Sequence, residues 1–349
     1  MSLLNGLQNL ETKEFHSEWI SPSNIAFIKY WGKKGHQIPA NPSFSMTLSQ
    51  CVTKTSVKFT PSENLFVDLK LDGVSMPSFG AKIETYLISI ADELPWIKNL
   101  NISVETSNTF PHGTGIASSA SGMSAFALNL MSYISFLSSE SKDDLFYKRA
   151  SYLARLASGS ACRSIFGGFS SWGEYGPSDA SDKYASPLIP HADLSFLHDS
   201  ILVVSSQEKK TSSTSGHKKM DEHYFAQARY RQARDHFDRG IAALKTGDME
   251  EVGSLLEKEA LSLHGMMMTT PDYYMLMRPN TLKIIELIWD FRSSTKIPLY
   301  FTLDAGPNLH LIYPDYYKNK VQTFITHELS NFCEQIIHDF TGKGPSQCL

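Results

Sequence analysis

Residues 45–60 run through Thr, Val and Ser with partial alternation of apolar and polar positions, the period of a β-strand. Residues 65–71, closed by Asp72-Gly73, read as a strand entering a hairpin turn. The spacing changes over 81–94, where Ile83, Leu87, Ile88 and Leu94 recur at helical intervals. A short strand at 102–106 leads into a glycine-rich turn. Beyond it, 116–137 contains small and apolar residues with no proline, which predicts a largely buried helix. A second helix is expected over 143–158, and the alternating aromatics of 163–175, around Gly167-Gly168, read as a strand.

Residues 178–193, rich in Ser, Pro, Asp and Ala, read as an inter-domain connection. A strand follows at 200–206, then polar helices at 221–244 and 249–263, and a helix from Pro279, where a first-turn proline sacrifices no hydrogen bond, to about Phe291. Two apolar strands, 298–303 and 309–313, flank Asp304-Ala305-Gly306-Pro307-Asn308, and a last helix is expected over 319–333. The first half mixes hairpins with helices and the second reads as a split β-α-β unit, so the expected class is α+β in two domains, 1–190 and 191–349.

Composition narrows the partners. The 349 residues suffice for about two domains, and the 42% hydrophobic content can fill a core in each. Lys and Arg number 32 against 36 Asp and Glu, a formal charge of -4 with no basic block, which argues against nucleic acid or an anionic membrane as main partner. Cys51, Cys162, Cys333 and Cys348 form no C-x-x-C pair, so reduced thiols in a cytoplasmic protein are expected. Residues 1–14 lack the pattern of a signal peptide, and no apolar run approaches the ~20 residues that span a bilayer. The twelve histidines do not suggest a metal constellation; the run Met266-Met267-Met268 reads as core filling.

Candidate chemistry begins at Pro111-His112-Gly113-Thr114-Gly115-Ile116-Ala117-Ser118-Ser119-Ala120. Glycines let backbone approach an anion, the following helix N-terminus offers N–H groups, and two serines add hydroxyl donors: a phosphate cradle, or, read locally, a capped glycine turn. It is neither a Walker A loop nor a Rossmann fingerprint. The segment resembles the nucleotide loop of the GHMP small-molecule kinases. Three more segments resemble the diphosphomevalonate decarboxylases within that superfamily: N-I-A-F-I-K-Y-W-G-K at 24–33, S-G-S-A-C-R-S-I-F-G-G-F at 158–169 and L-D-A-G-P-N at 303–308. The resemblance runs in order from about Ile20 to Tyr313. It implies an N-terminal domain like ribosomal protein S5 domain 2 and a ferredoxin-like C-terminal domain that supplies the catalytic aspartate.

Residue by residue, the resemblance assigns Pro111, Gly113, Thr114, Gly115, Ala117, Ser118 and Ser119 to the nucleotide. Tyr30, Trp31, Gly32 and Lys33 fall to the substrate, as do Ser158, Gly159, Ser160, Ala161, Cys162 and Arg163, with Arg163 on its carboxylate. Lys29, Ser119, Arg163 and Asp304 are the implied catalytic group, although Asp304 alone reads as a turn residue before Gly-Pro. Ser213 and Thr214 belong to a polar loop with Lys209 and Lys210 that would close over phosphates; which lysine faces ATP stays open. Cys162 reads as a small buried thiol rather than a nucleophile. Where the family often has an arginine in the early hairpin, this chain has Asp68, with Lys70 the nearest base, which leaves the substrate's phosphorylation state open.

The implied activity is ATP-dependent decarboxylation of (R)-5-diphosphomevalonate to isopentenyl diphosphate, with ATP as co-substrate, Mg2+ carried on its phosphates, no protein metal site, and a homodimer. A 5-phosphomevalonate decarboxylase, a mevalonate 3-kinase and a silent ATP- or phosphoisoprenoid-binding paralogue are the alternatives. The last would be expected to have lost Asp304, Arg163 or the Ser118-Ser119 pair, and all are present.

Overall fold

The computed structural model describes residues 3–111, 116–175, 180–207 and 213–349. Two antiparallel-rich sheets organise it. In the first, β1 (Phe15–Ala26) pairs with the long β2 (Ser43–Pro61), which pairs with β5 (Leu100–Asn108); β3 (Phe66–Leu71) joins β5 in parallel and β4 (Val74–Ser75) forms the edge. β6 (Phe169–Trp172) pairs with the start of β2, and β7 (Ala185–Leu188) pairs with β6. Asp72 and Gly73 both have positive φ, 50° and 80°, as the tight β3–β4 hairpin requires.

Helices α1 (Pro77–Ser89), α2 (Ser118–Ser138) and α3 (Asp144–Ala157) pack with this sheet. Asp143 caps α3, its carboxylate accepting from the N–H groups of Leu145 and Phe146, a contact worth about 1 kcal/mol. By length and composition α2 could cross a bilayer, yet most of it is buried, as in a core helix. Its contact with the sheet is part apolar, with Tyr133 stacked on Phe59 at 4.4 Å. The rest is a polar seam of Ser21–Ser124, Thr53–Ser121 and Trp19–Ser132 hydrogen bonds that holds α2 in register with β1 and β2.

The second sheet has the order β11 (Gln335–Phe340), β8 (Leu197–Val203), β10 (Leu309–Pro314), β9 (Tyr300–Leu303), all antiparallel. The helices around it are α4 (Ser213–Lys218), α5 (Ala226–Thr246), α6 (Met249–Met268), α7 (Pro279–Thr295) and α8 (Lys318–Phe324). Alternation along the strands serves two cores. Leu202, Leu303 and Leu311 pack with Ile284, Ile288 and Val321 of α7 and α8. Ile201 and Ile312 pack instead with Phe237 and Leu256 of α5 and α6, with Ile25 and Phe44 of the first sheet, and with Phe27 just past β1. A core shared by both sheets fixes the two halves against each other. The chain end reinforces this, because β12 (Ser346–Gln347) returns to pair with β1.

Several sequence expectations need correction. Residues 163–175 are not one strand: a 3-10 turn occupies Gly159–Ile165 and only Phe169–Trp172 is extended. The 178–193 connection contains β7, which pairs with β6, so Pro187 lies in a short edge strand. The helix expected at 81–94 begins earlier, at Pro77, with proline in its first turn. The last helix continues past Phe324 as a π-helical turn, Ile325–Leu329, and a 3-10 turn.

Candidate active site

After β1 ends at Ala26 the chain leaves the ladder, with the N–H groups of Phe27 and Ile28 both directed at the Phe44 carbonyl. Lys29 follows, its side chain 2% exposed, and its Nζ donates to Asp304 Oδ1 at 2.8 Å. Asp304 stands just past β9, where Gly306 N–H donates back to its carbonyl at 2.7 Å in the Gly-Pro turn. The two residues lie 275 positions apart and follow strands of different sheets; the ion pair joins the two halves of the chain.

Arg163, in the 3-10 turn after α3, is almost fully buried. Its Nε donates to Ser45 Oγ at 3.0 Å and more weakly to Asn24 Oδ1 at 3.4 Å, and its Nη1 donates to Ser43 Oγ at 2.6 Å. Ser43 and Ser45 share one face of β2 because strand side chains alternate. Among the described residues no carboxylate ion-pairs with Arg163. Burial pulls its pKa down, and Asp304 is the carboxylate whose charge opposes that shift. A buried guanidinium that faces the Trp172 ring at 6.0 Å and whose hydrogen bonds among the described residues all go to neutral oxygens is a site for an incoming anion, above all a planar carboxylate.

Tyr30 completes the wall beside Arg163. Its ring packs on Trp172 at 4.7 Å and on His217 at 4.4 Å, and its hydroxyl is buried without a hydrogen-bond partner among the described residues. Burial holds the phenol well above its ordinary pKa, so it is a neutral donor. Gly159 is glycine because a Cβ there would lie 2.9 Å from Trp172 and 3.0 Å from the Tyr30 hydroxyl. Lys33, half-buried, has its pKa lowered by burial. Gly32 has φ +96° and no room for a Cβ, which would meet the Tyr230 hydroxyl of α5 at 2.2 Å. Its N–H donates to His217 Nδ1 at 3.0 Å, and burial pushes that histidine down to about 3, keeping it a neutral acceptor.

The serines of the nucleotide segment occupy the first turn of α2. The preceding Ala117 has φ 47° and no side chain caps the helix. Ser119 Oγ donates to Ser158 Oγ at 3.4 Å, which links this turn to the Arg163 segment. Half-buried Pro111 ends the described stretch before it. Gly113, Thr114 and Gly115 lie outside the described residues, as do Lys209, Lys210 and the side chains of Ser213 and Thr214.

The remaining expected residues divide by role. Trp31 packs in a cluster with Tyr230, Met266, Met267 and Ala305, which also places two of the three methionines in a core. Ala161 and Cys162 are fully buried; the Cys162 thiol donates to the Gly159 carbonyl, and burial pushes it up to about 12, so it is inert. Ser160 contributes its carbonyl to Asn24. Sequence reasoning missed Ser43, Ser45 and Asn24 as the cradle of Arg163, and His217 as the partner of Gly32. Asn24 lay inside a quoted motif, and the Ser43-x-Ser45 spacing was the available signal for the hydroxyls. A surface hollow of about 630 Å3 beside Lys296, Tyr317 and Lys320 contains none of these groups.

Residues 21–185 match the diphosphomevalonate decarboxylase-like N-terminal domain and residues 200–348 the mevalonate 5-diphosphate decarboxylase C-terminal domain. A diphosphomevalonate decarboxylase from Candida albicans is 30% identical over 319 residues, covering 87% of this chain and 86% of its own. A solved structure of MDDEF in complex with MVAPP, AMPPCP and magnesium superposes with a TM-score of 0.83 at 29% identity, covering 96% of this chain and 99% of that one. The Staphylococcus aureus mevalonate diphosphate decarboxylase superposes with a TM-score of 0.84 at 27% identity, covering 97% and 99%. Matches to both halves, together with the Lys29–Asp304 pair and the Arg163 cradle, place this chain in the diphosphomevalonate decarboxylase family, as an enzyme of the GHMP superfamily.

Proposed function

We propose that this chain uses ATP to phosphorylate the 3-hydroxyl of (R)-5-diphosphomevalonate and then releases phosphate and carbon dioxide, leaving isopentenyl diphosphate. The observation that carries the reading is the buried Arg163, hydrogen-bonded among the described residues to neutral oxygens and placed within electrostatic reach of the Lys29–Asp304 pair. Arg163 would take the substrate carboxylate bidentately. Asp304, 27% exposed, would accept a hydrogen bond from the 3-hydroxyl and then its proton as the oxygen attacks the γ-phosphorus of ATP.

Lys29 holds the Asp304 carboxylate by its ion pair before attack and, freed from it, offers an ammonium to the transferring phosphoryl group. Ser118, Ser119 and the N-terminal end of α2 would stabilise charge on the nucleotide phosphates. Tyr30 and Lys33 would face the diphosphate end. The C3–O bond then breaks with its electrons leaving on phosphate. The C–C bond to the carboxylate supplies the pair that closes the alkene, and carbon dioxide departs from the Arg163 cradle.

The solved neighbour with AMPPCP and magnesium supports ATP with Mg2+. The oxygens on hand, the Ser118 and Ser119 hydroxyls and the Asp304 carboxylate, suit one or two ligands to an ion whose other positions are phosphate oxygens and water. Bound there, Mg2+ would neutralise charge on the β- and γ-phosphates.

We also read the protein as a cytoplasmic homodimer. Four free thiols fit a reducing compartment, and exposed Tyr224, Phe225, Tyr273 and Met275, on segments joined by the Lys219–Asp272 contact, offer apolar surface to a second copy. Light scattering decides the second point: a one-chain mass would reject the dimer.

The phosphorylation state follows from the diphosphate end. Lys70 is exposed on β3, with β2 and β5 between it and β1, so the grip falls to Tyr30 and Lys33. With ATP and Mg2+, kcat/KM should be at least ~10-fold higher for the 5-diphosphate than for the 5-phosphate, since one lost charge-assisted contact costs about 1.5–3 kcal/mol. Preference for the monophosphate would favour the 5-phosphomevalonate reading, and ADP without carbon dioxide would leave a 3-kinase.

A further inference from the structure

The reaction assigned above uses the side chains of Lys29 and Asp304 but leaves unexplained what holds them in register. Glu259 on α6 is completely buried, and both its carboxylate oxygens are engaged. Arg229 of α5 donates to Oε1 at 2.9 Å and to Oε2 at 2.5 Å. His236, two helical turns further along the same face of α5, donates from Nδ1 to Oε1 at 2.7 Å. The fourth bond leaves this helix pair entirely: the backbone N–H of Lys29 donates to Oε2 at 2.8 Å.

Burial alone would favour the protonated acid. Arg229, His236 and the Lys29 N–H outweigh it and keep the carboxyl below its ordinary pKa. Lys29 lies beyond the end of β1, so its buried N–H has no ladder partner and Glu259 takes that place. On the other side, Asn41 Nδ2 donates to the Lys29 carbonyl at 2.9 Å. The main chain is thus fixed on both sides before the side chain spans to Asp304.

α6 also holds the other partner. His264 Nε2, five residues after Glu259, donates to the Asp304 carbonyl at 3.1 Å. At about 1.5 Å of rise per residue the two contacts are ~7.5 Å apart along one rigid helix. One element therefore grips both members of the ion pair, each by its backbone.

We propose that Glu259, clamped by Arg229 and His236, is a positioning residue for phosphoryl transfer: it fixes the main chain of Lys29 so that Nζ reaches the Asp304 carboxylate and the transferring phosphoryl group. The inference rests on the assigned reaction. A purely structural ion pair would affect folding and leave the kinetics of correctly folded enzyme alone; a positioning residue acts through Lys29.

The test is a double-mutant cycle on the full chain with ATP, Mg2+ and (R)-5-diphosphomevalonate. Glu259→Gln should lower kcat by ~10–100-fold while both KM values stay within about threefold. In a Lys29→Met background the same substitution should change residual turnover by less than about twofold. Unchanged kcat in the single variant, or an equal loss in both backgrounds, overturns the proposal. If Glu259→Gln does not fold, His236→Leu, which removes one of the four bonds, is put through the same cycle and judged by the same two outcomes.

Amide exchange at residue 29 gives a readout free of turnover. Its protection should fall by about tenfold or more in the folded variant, and unchanged protection overturns the clamp. Absence of wild-type turnover would count against the assigned reaction, whereas this exchange result would still judge Glu259.

Discussion

Replacing Asp304 with asparagine should lower kcat by ~10^2–10^4-fold while ATP still binds, because the amide keeps the shape but cannot accept the proton of the 3-hydroxyl. The same change withdraws the counter-charge from Lys29, whose side chain is 2% exposed and 2.8 Å away. Breaking a buried pair on one side costs about 3–5 kcal/mol, and partial exposure of Asp304 places the loss at or below the lower end. Turnover, nucleotide binding by titration calorimetry and a thermal melt together separate chemistry from folding. Turnover near the wild-type rate would return Asp304 to a turn residue before Gly306 and Pro307.

Arg163→Met should show the opposite balance of stability and activity. The guanidinium is buried with serine hydroxyls and Asn24 as partners, so the folded enzyme carries its desolvation without a directly paired carboxylate, offset in part by the charge of Asp304. Methionine fills similar volume without charge, and the melting temperature should hold or rise, even with Ser43 and Ser45 losing a donor. The cost falls on substrate: kcat/KM should drop by ~10^3-fold or more, equivalent to at least about 4 kcal/mol of lost transition-state stabilisation. A variant that melts far lower yet turns over normally would make Arg163 a structural residue.

The contrast between these two residues marks what the sequence could and could not disclose. Asp72-Gly73 and the proline-free α2 are local signals, and each element follows from residues a few positions apart. The motif residues Lys29, Arg163 and Asp304 were legible as types, and the α+β class with them. Their environment was not, because it is built from non-local contacts. Ser43 and Ser45 meet Arg163 across more than a hundred residues, and Glu259 meets Lys29 across 230. β11 and β12 escaped notice because neither carries a regular alternation of apolar and polar residues to announce it, and β12 is only two residues long. The same distance explains why Trp31, in the middle of a binding motif, packs with methionines from α6.

Coupling of phosphoryl transfer to decarboxylation is the core of the account, and a single turnover reads it directly. With enzyme and ATP in excess over (R)-5-diphosphomevalonate, rapid quenching should recover ADP and carbon dioxide in equal amounts, ADP forming no later than carbon dioxide, with the alkene diphosphate as product. Carbon dioxide released without ADP, or a full equivalent of ADP with no carbon dioxide, would contradict it.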